Sequence, residues 1–166
     1  MRARVGGGEM GSKENVKKMV GTLVEKSFPT LRNKKIFLSL YGGGNYSGKS
    51  LWLLPFLRIL FINQDRRFSI PEMKGLIVHE LCHFEIYLEE GWFKILLWEL
   101  NYWLSLKFRK KEEYKVDKRV ITKGYARDLY WQRLSRWDST DKNHPLKEVY
   151  ISPEEIKKYA KKIGKW

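Results

Sequence analysis

Apolar residues in the stretch 13–28 recur at helical spacing: Val16, Met19, Val20, Leu23 and Val24 fall at i, i+3, i+4, i+7 and i+8. This spacing predicts an amphipathic helix that Pro29 closes. Residues 35–41 read as a strand, 42–50 as a turn-rich stretch, and 51–63 as an apolar run interrupted by Pro55. Proline lacks an N–H and crowds a helical turn, so the second half of the run, Leu57–Asn63, is read as a strand. Ser69, with Pro71 in the first turn and Glu72 three residues on, opens a helix carrying Met73 to about Leu88, which Gly91 breaks. A strongly apolar helix follows over 92–108. Another covers 112–123 and is closed by Gly124, and a further one covers 125–137. After a polar loop, 138–145, the Ser152/Glu155 capping box opens a last basic helix from Pro153 to Ile163. Together these elements predict an α+β fold: a small mixed or antiparallel sheet packed on the helix 73–88, with additional helices. The expected organisation is a flexible lead-in over 1–11, a main domain over 12–137, and a basic C-terminal extension over 138–166 with one helix.

Composition adds little to the fold but bears on partners. The chain has 166 residues, 43% of them hydrophobic, which is material for a core rather than for a disordered chain. Its formal charge of +14 favours acidic partners such as nucleic acid, anionic lipid or acidic peptides. No RNP or zinc-finger motif accompanies that charge, so no specific nucleic-acid partner is expected. A single cysteine forbids an internal disulfide and suits a reducing, cytoplasmic setting. The Gly-rich start lacks an apolar h-region and does not read as a secretory signal.

The candidate chemistry lies in His79-Glu80-Leu81-Cys82-His83. Two histidines four apart on a helix project from one face, close enough to share a metal. Glu80 lies beside that metal, where a general base must sit to take a proton from activated water. A catalytic zinc takes three protein ligands and keeps a position open. No histidine follows His83 closely, and His144 is far downstream, so a carboxylate on a later helix is the natural third ligand. Glu113 and Asp117 share a face at i, i+4: one can ligate while the other accepts a hydrogen bond from a ligating imidazole. Glu112 is an adjacent alternative, and an exposed ion pair with Lys118 or Arg119 is the plainer reading of Asp117.

HExxH followed by ExxxD on a later helix resembles the gluzincin metallopeptidases. The nearer likeness is to the soluble archaeal minigluzincins (abylysin- and jannalysin-like proteins) and to the catalytic domain of the CAAX prenyl proteases. It covers roughly residues 35–125. The resemblance implies a Zn2+ cofactor held by His79, His83 and Glu113, with Glu80 as general base and acid and Asp117 behind the ligands. It also implies peptide-bond hydrolysis of a peptide or protein substrate that pairs with the strand near residues 60–63. Tyr125, Arg127 and His144 are the candidates for stabilising an oxyanion.

Three further features compete for attention. Gly43-Gly44-Asn45-Tyr46-Ser47-Gly48-Lys49-Ser50 matches the nucleotide-binding pattern GxxxxGK[ST]. A phosphate loop must open directly into a helix, whereas Pro55 and a strand-like run follow here, so the segment is read as a glycine-rich hairpin loop. The aromatic run 92–108 is read as a buried helix; an interfacial helix at an anionic membrane surface, or a homodimer face, is the alternative. Cys82 reads as a small buried residue. Beside the metallopeptidase reading stand a zinc-bound latent scaffold, a basic protein that binds nucleic acid or membrane surfaces, and a nucleotide-binding protein.

Overall fold

A computed structural model describes residues 12–44, 46–54, 56–91, 94–95, 101–102, 104–138 and 146–166. The expected lead-in over 1–11, His144, part of the aromatic run and most of the polar loop lie outside the described residues.

Helix α1, Lys13–Ser27, starts where the Ser12 side chain accepts from the Asn15 N–H, and buries Val16, Leu23 and Val24. Strands β1 (Ile36–Tyr41), β2 (Gly48–Leu54) and β3 (Leu57–Asn63) form a mixed sheet in the order β1-β3-β2. Strand β3 runs parallel to β1, with Leu38 opposite Leu60, and antiparallel to β2, with Ser50 opposite Leu60. The chain therefore passes from one edge to the other before β3 fills the middle. Alternate β3 residues, Leu60 and Ile62 among them, are buried.

Strand β2 corrects the sequence reading, which placed a turn-rich stretch through Ser50. A Cβ on Gly48 would lie 3.0 Å from Leu76 Cδ1 and 3.2 Å from the Phe61 carbonyl oxygen. The residue is glycine because this edge strand presses against a helix, not because the chain turns there. The turn lies earlier, where Gly43 and Gly44 both take φ +78° and Asn63 donates to the Gly43 and Tyr46 carbonyls. Gly48, Lys49 and Ser50 are thus strand residues paired with Ile62, Phe61 and Leu60 of β3, and no helix follows them to hold a phosphate.

Helix α2, Ile70–Glu90, begins with the expected capping box of Ser69 and Glu72 and ends at Gly91, φ +84°. Every residue from Leu76 to Tyr87 is buried, so α2 is the central rod of the molecule. Strand β2 lies against one side of it. Helices α3 (Leu106–Thr122) and α4 (Ala126–Asp138) pack around the rest. Helix α3 begins six residues earlier than expected, because Ser105 leaves helical geometry and caps it by accepting from the Phe108 N–H; the apolar run 92–108 is therefore not one helix. Gly75 sets the α2–α4 spacing: a Cβ there would stand 2.4 Å from the Asp128 carbonyl oxygen.

A short turn of helix, α5 (Leu146–Val149), precedes α6 (Pro153–Lys162), which carries the expected Ser152 cap. Ile151, Ile156 and Ala160 belong to the same buried cluster as Leu60, Leu76, Ile77, Phe84 and Val120. The stretch expected to form an extension after 137 therefore contributes Ile151, Ile156 and Ala160 to this core.

Candidate metal centre

The site forms where α2, α3, α4 and the segment after α5 converge. His79 and His83 lie on the buried middle of α2, their ring centroids 5.0 Å apart. Glu113 is the second residue of the buried stripe on α3, and its Oε2 lies 3.1 Å from His79 Nε2 and 3.6 Å from His83 Nε2. One ligand atom from each of the three residues falls within 4.8 Å of the other two. Glu113 Oε2 is buried without a hydrogen bond of acceptable geometry. An anionic oxygen left so between two imidazoles asks for a cation. Bonds of ~2.0–2.2 Å place tetrahedral ligand atoms ~3.3 Å apart, close to the spacing seen between Glu113 and the two histidines. This buried His-His-Glu group could hold a metal ion.

The other Glu113 oxygen, Oε1, accepts from the Tyr102 hydroxyl, so the carboxylate is turned with Oε2 toward the histidines. Arg109 holds Tyr102 in turn, donating from Nε to its carbonyl and lying 4.8 Å from its ring centroid. Glu112 is buried but does not line the cleft, and so is not the third member of the group.

Asp117, fully buried, accepts from His79 Nδ1 at 2.9 Å, from Arg133 Nη2 at 2.7 Å and from the Ile151 N–H at 3.3 Å. A proton on Nδ1 leaves Nε2 of the neutral ring as the lone-pair donor facing Glu113. The exposed ion pair considered for Asp117 is ruled out: Arg119 pairs with Glu89 and Glu85, and Lys118 lies over the Tyr159 ring.

The electrostatics follow from burial and these partners. Burial by itself would pull the His79 pKa down, but its hydrogen bond to Asp117 and the Glu113 carboxylate beside it push it up to about 9. Burial would raise the Glu113 carboxyl, yet His83 and His79 hold it well below the usual range. For Asp117, Arg133 and His79 outweigh burial in the same way and keep the carboxyl low. Without a metal, these neighbours thus favour the charged form of both the His79 ring and the Glu113 carboxylate. Cys82 is buried on the same helix, and burial pushes its thiol up, out of the reactive range.

Glu80 is buried and lines the same cleft, together with Lys49 and Ser50 of β2 and with Tyr102, Val149 and Tyr150. The Tyr150 ring lies 5.9 Å from His79, and the Arg133 guanidinium lies 4.2 Å from the Tyr150 ring centroid. Burial, then Glu113, raises the Tyr150 hydroxyl so that it stays protonated. Two of the candidates for oxyanion stabilisation are misplaced: Tyr125 shares a hydrogen bond with Ser27 at 2.6 Å, and Arg127 lies over the Trp166 ring. Neither lines the cleft. Sequence reasoning missed Arg133, Tyr102 and Tyr150; they lie 54, 23 and 71 residues from His79 in the chain, and no motif spacing marks them.

The structure also alters the expected substrate strand. Residues 60–63 lie in β3, which has a strand on each side; β2 is the edge strand at the cleft. Among the described residues, no helix is long and apolar enough to cross a membrane. No protein-family model, curated protein or solved structure matches this chain.

Proposed function

We propose that the protein is a zinc-dependent metalloendopeptidase. The observation that carries the reading is the buried His79/His83/Glu113 group with an unsatisfied Glu113 oxygen, and Glu80 beside it on the cleft wall. Two imidazoles and one carboxylate are a donor set suited to zinc with a position left open. Bound there, zinc would supply Lewis acidity and lower the pKa of a water to ~7.

The remaining work falls to the protein's own residues. Glu80 accepts the proton from the attacking water and returns it to the leaving amine. The protonated Tyr150 hydroxyl donates to the oxygen on which charge develops. Asp117, backed by Arg133, holds the His79 ring and its tautomer; Tyr102 turns Glu113. An extended peptide pairs with the outer edge of β2, where backbone groups are not engaged by β3. The alternative of a metal-holding scaffold without turnover draws support from Val149 and Tyr150, which wall the cleft. Removing the tail is a poor test of that alternative, because Ile151 and Ile156 are core residues.

Metal content of protein purified without added zinc, combined with peptide cleavage, tests the proposal. One equivalent of zinc is expected in the wild type and loss of it in His83→Ala and Glu113→Ala. Glu80→Gln should keep the metal and lose about 10²–10⁴-fold in cleavage rate. Wild type that stays metal-free after zinc is supplied refutes the metallopeptidase reading. Full metal binding with no cleavage of any peptide by the wild type leaves the scaffold.

A further inference from the structure

The N-terminal end of α3 presents an apolar and cationic surface that nothing in the site chemistry uses. Leu104 is 78% exposed and Leu106 47%. Leu106 precedes Glu113 by seven residues and Asp117 by eleven, which is close to two and three helical turns. It therefore continues the stripe that α3 buries, past the end of the core. Lys107, Lys110 and Lys111 follow it, all exposed. Lys110 is one turn from Leu106, and Lys111 one turn from Lys107. The helix N-terminus adds its own positive end. Two exposed leucines two residues apart, followed at once by lysines, give this end an apolar tip beside a cationic one.

We infer that this end of α3 docks on an anionic lipid surface, with Leu104 and Leu106 entering the headgroup layer and Lys107, Lys110 and Lys111 meeting lipid phosphates and carboxylates. Charge complementarity selects the anionic partner. The leucines favour lipid over nucleic acid, because phosphate contacts to a nucleic acid would leave both side chains in water. Tyr102 and Arg109 flank the patch in sequence and line the cleft, so docking would bring the cleft mouth to the lipid surface. The inference does not depend on the peptidase reading.

Cosedimentation tests it, using vesicles of phosphatidylcholine alone and vesicles with about one third phosphatidylserine, in which the surface attracts each nearby lysine by about 5-fold in affinity. The wild type is expected to bind the anionic vesicles and not the neutral ones. The triple variant Lys107→Glu/Lys110→Glu/Lys111→Glu should weaken binding by at least ~100-fold, and Leu104→Ser/Leu106→Ser should weaken it several-fold. A charge-matched variant on the exposed side of α6, Lys158→Glu/Lys161→Glu/Lys162→Glu, should stay within about 2-fold of the wild type if the patch is specific. Equal loss in the α6 variant would reduce the effect to net charge and overturn the inference. So would unchanged binding after the leucine substitutions, or binding to duplex DNA without binding to vesicles.

Discussion

Asp117→Asn removes one charge from the centre of the site and changes almost no volume. Asp117 has no exposed surface and Arg133 is 2% exposed. The aspartate accepts from three donors: His79 Nδ1, Arg133 Nη2 and the Ile151 N–H. An amide keeps one of the two acceptor oxygens. Its NH₂ then faces either Ile151 N–H or the pair from His79 and Arg133, donor against donor. The larger loss is electrostatic, because Arg133 remains buried without its anion. Breaking a buried pair in this way costs ~3–5 kcal/mol. At ~2–4 °C per kcal/mol for a domain of this size, Tm should fall by about 6–20 °C. Zinc affinity should fall by about 10–100-fold, since His79 loses the group that orients it. Thermal denaturation at pH 7 and a zinc titration read both effects. Adding Arg133→Met removes the stranded charge while filling similar space, so the double variant should be more stable than the single one. The pH dependence has a definite sign. The Asp117 carboxyl is depressed in the folded state, so its stabilisation is present above the unfolded value of ~3.9 and is lost as pH falls through the folded value. The gap between wild type and Asp117→Asn should therefore narrow below about pH 4. A single-variant loss under ~1 kcal/mol, or strictly additive losses in the double variant, would refute the buried-pair argument.

In metal-free protein His79 titrates near 9, above its unfolded value; its stabilisation is complete below about pH 6.5 and disappears as pH rises through 9, so urea midpoints after chelation should decline across that window. A flat profile would mean that Asp117 and Glu113 do not hold His79 in its charged form. Gly75→Ala should push α4 off α2, because the new methyl meets the Asp128 backbone; a loss of about 1–3 kcal/mol is expected in chemical denaturation, with weaker zinc binding because Arg133 rides on α4. Tyr102→Phe leaves Glu113 Oε1 without the Tyr102 hydroxyl, which should cost about 1–3 kcal/mol of stability and about 10-fold or more in zinc affinity, measured by competition with a chelating dye.

What the sequence by itself determined is what depends on near neighbours in the chain. The Ser69/Glu72 and Ser152/Glu155 caps, the breaks at Pro29, Gly91 and Gly124, and the shared faces of His79 with His83 and of Glu113 with Asp117 all follow from spacings of three or four residues. The start of strand β2 is hidden because Gly48 and Ser50 carry the composition of a turn; pairing with β3 and pressure from Leu76 make it a strand. The start of α3 was misread because hydrophobicity runs unbroken through Ser105, whose cap is a matter of backbone geometry. Only the tertiary structure decided which carboxylate faces the histidines, which edge of the sheet borders the cleft, and that Arg133, Tyr102 and Tyr150 surround the site. Those residues come from separate helices and a late loop, and long-range packing of buried faces, which leaves no fixed spacing in the chain, brings them together.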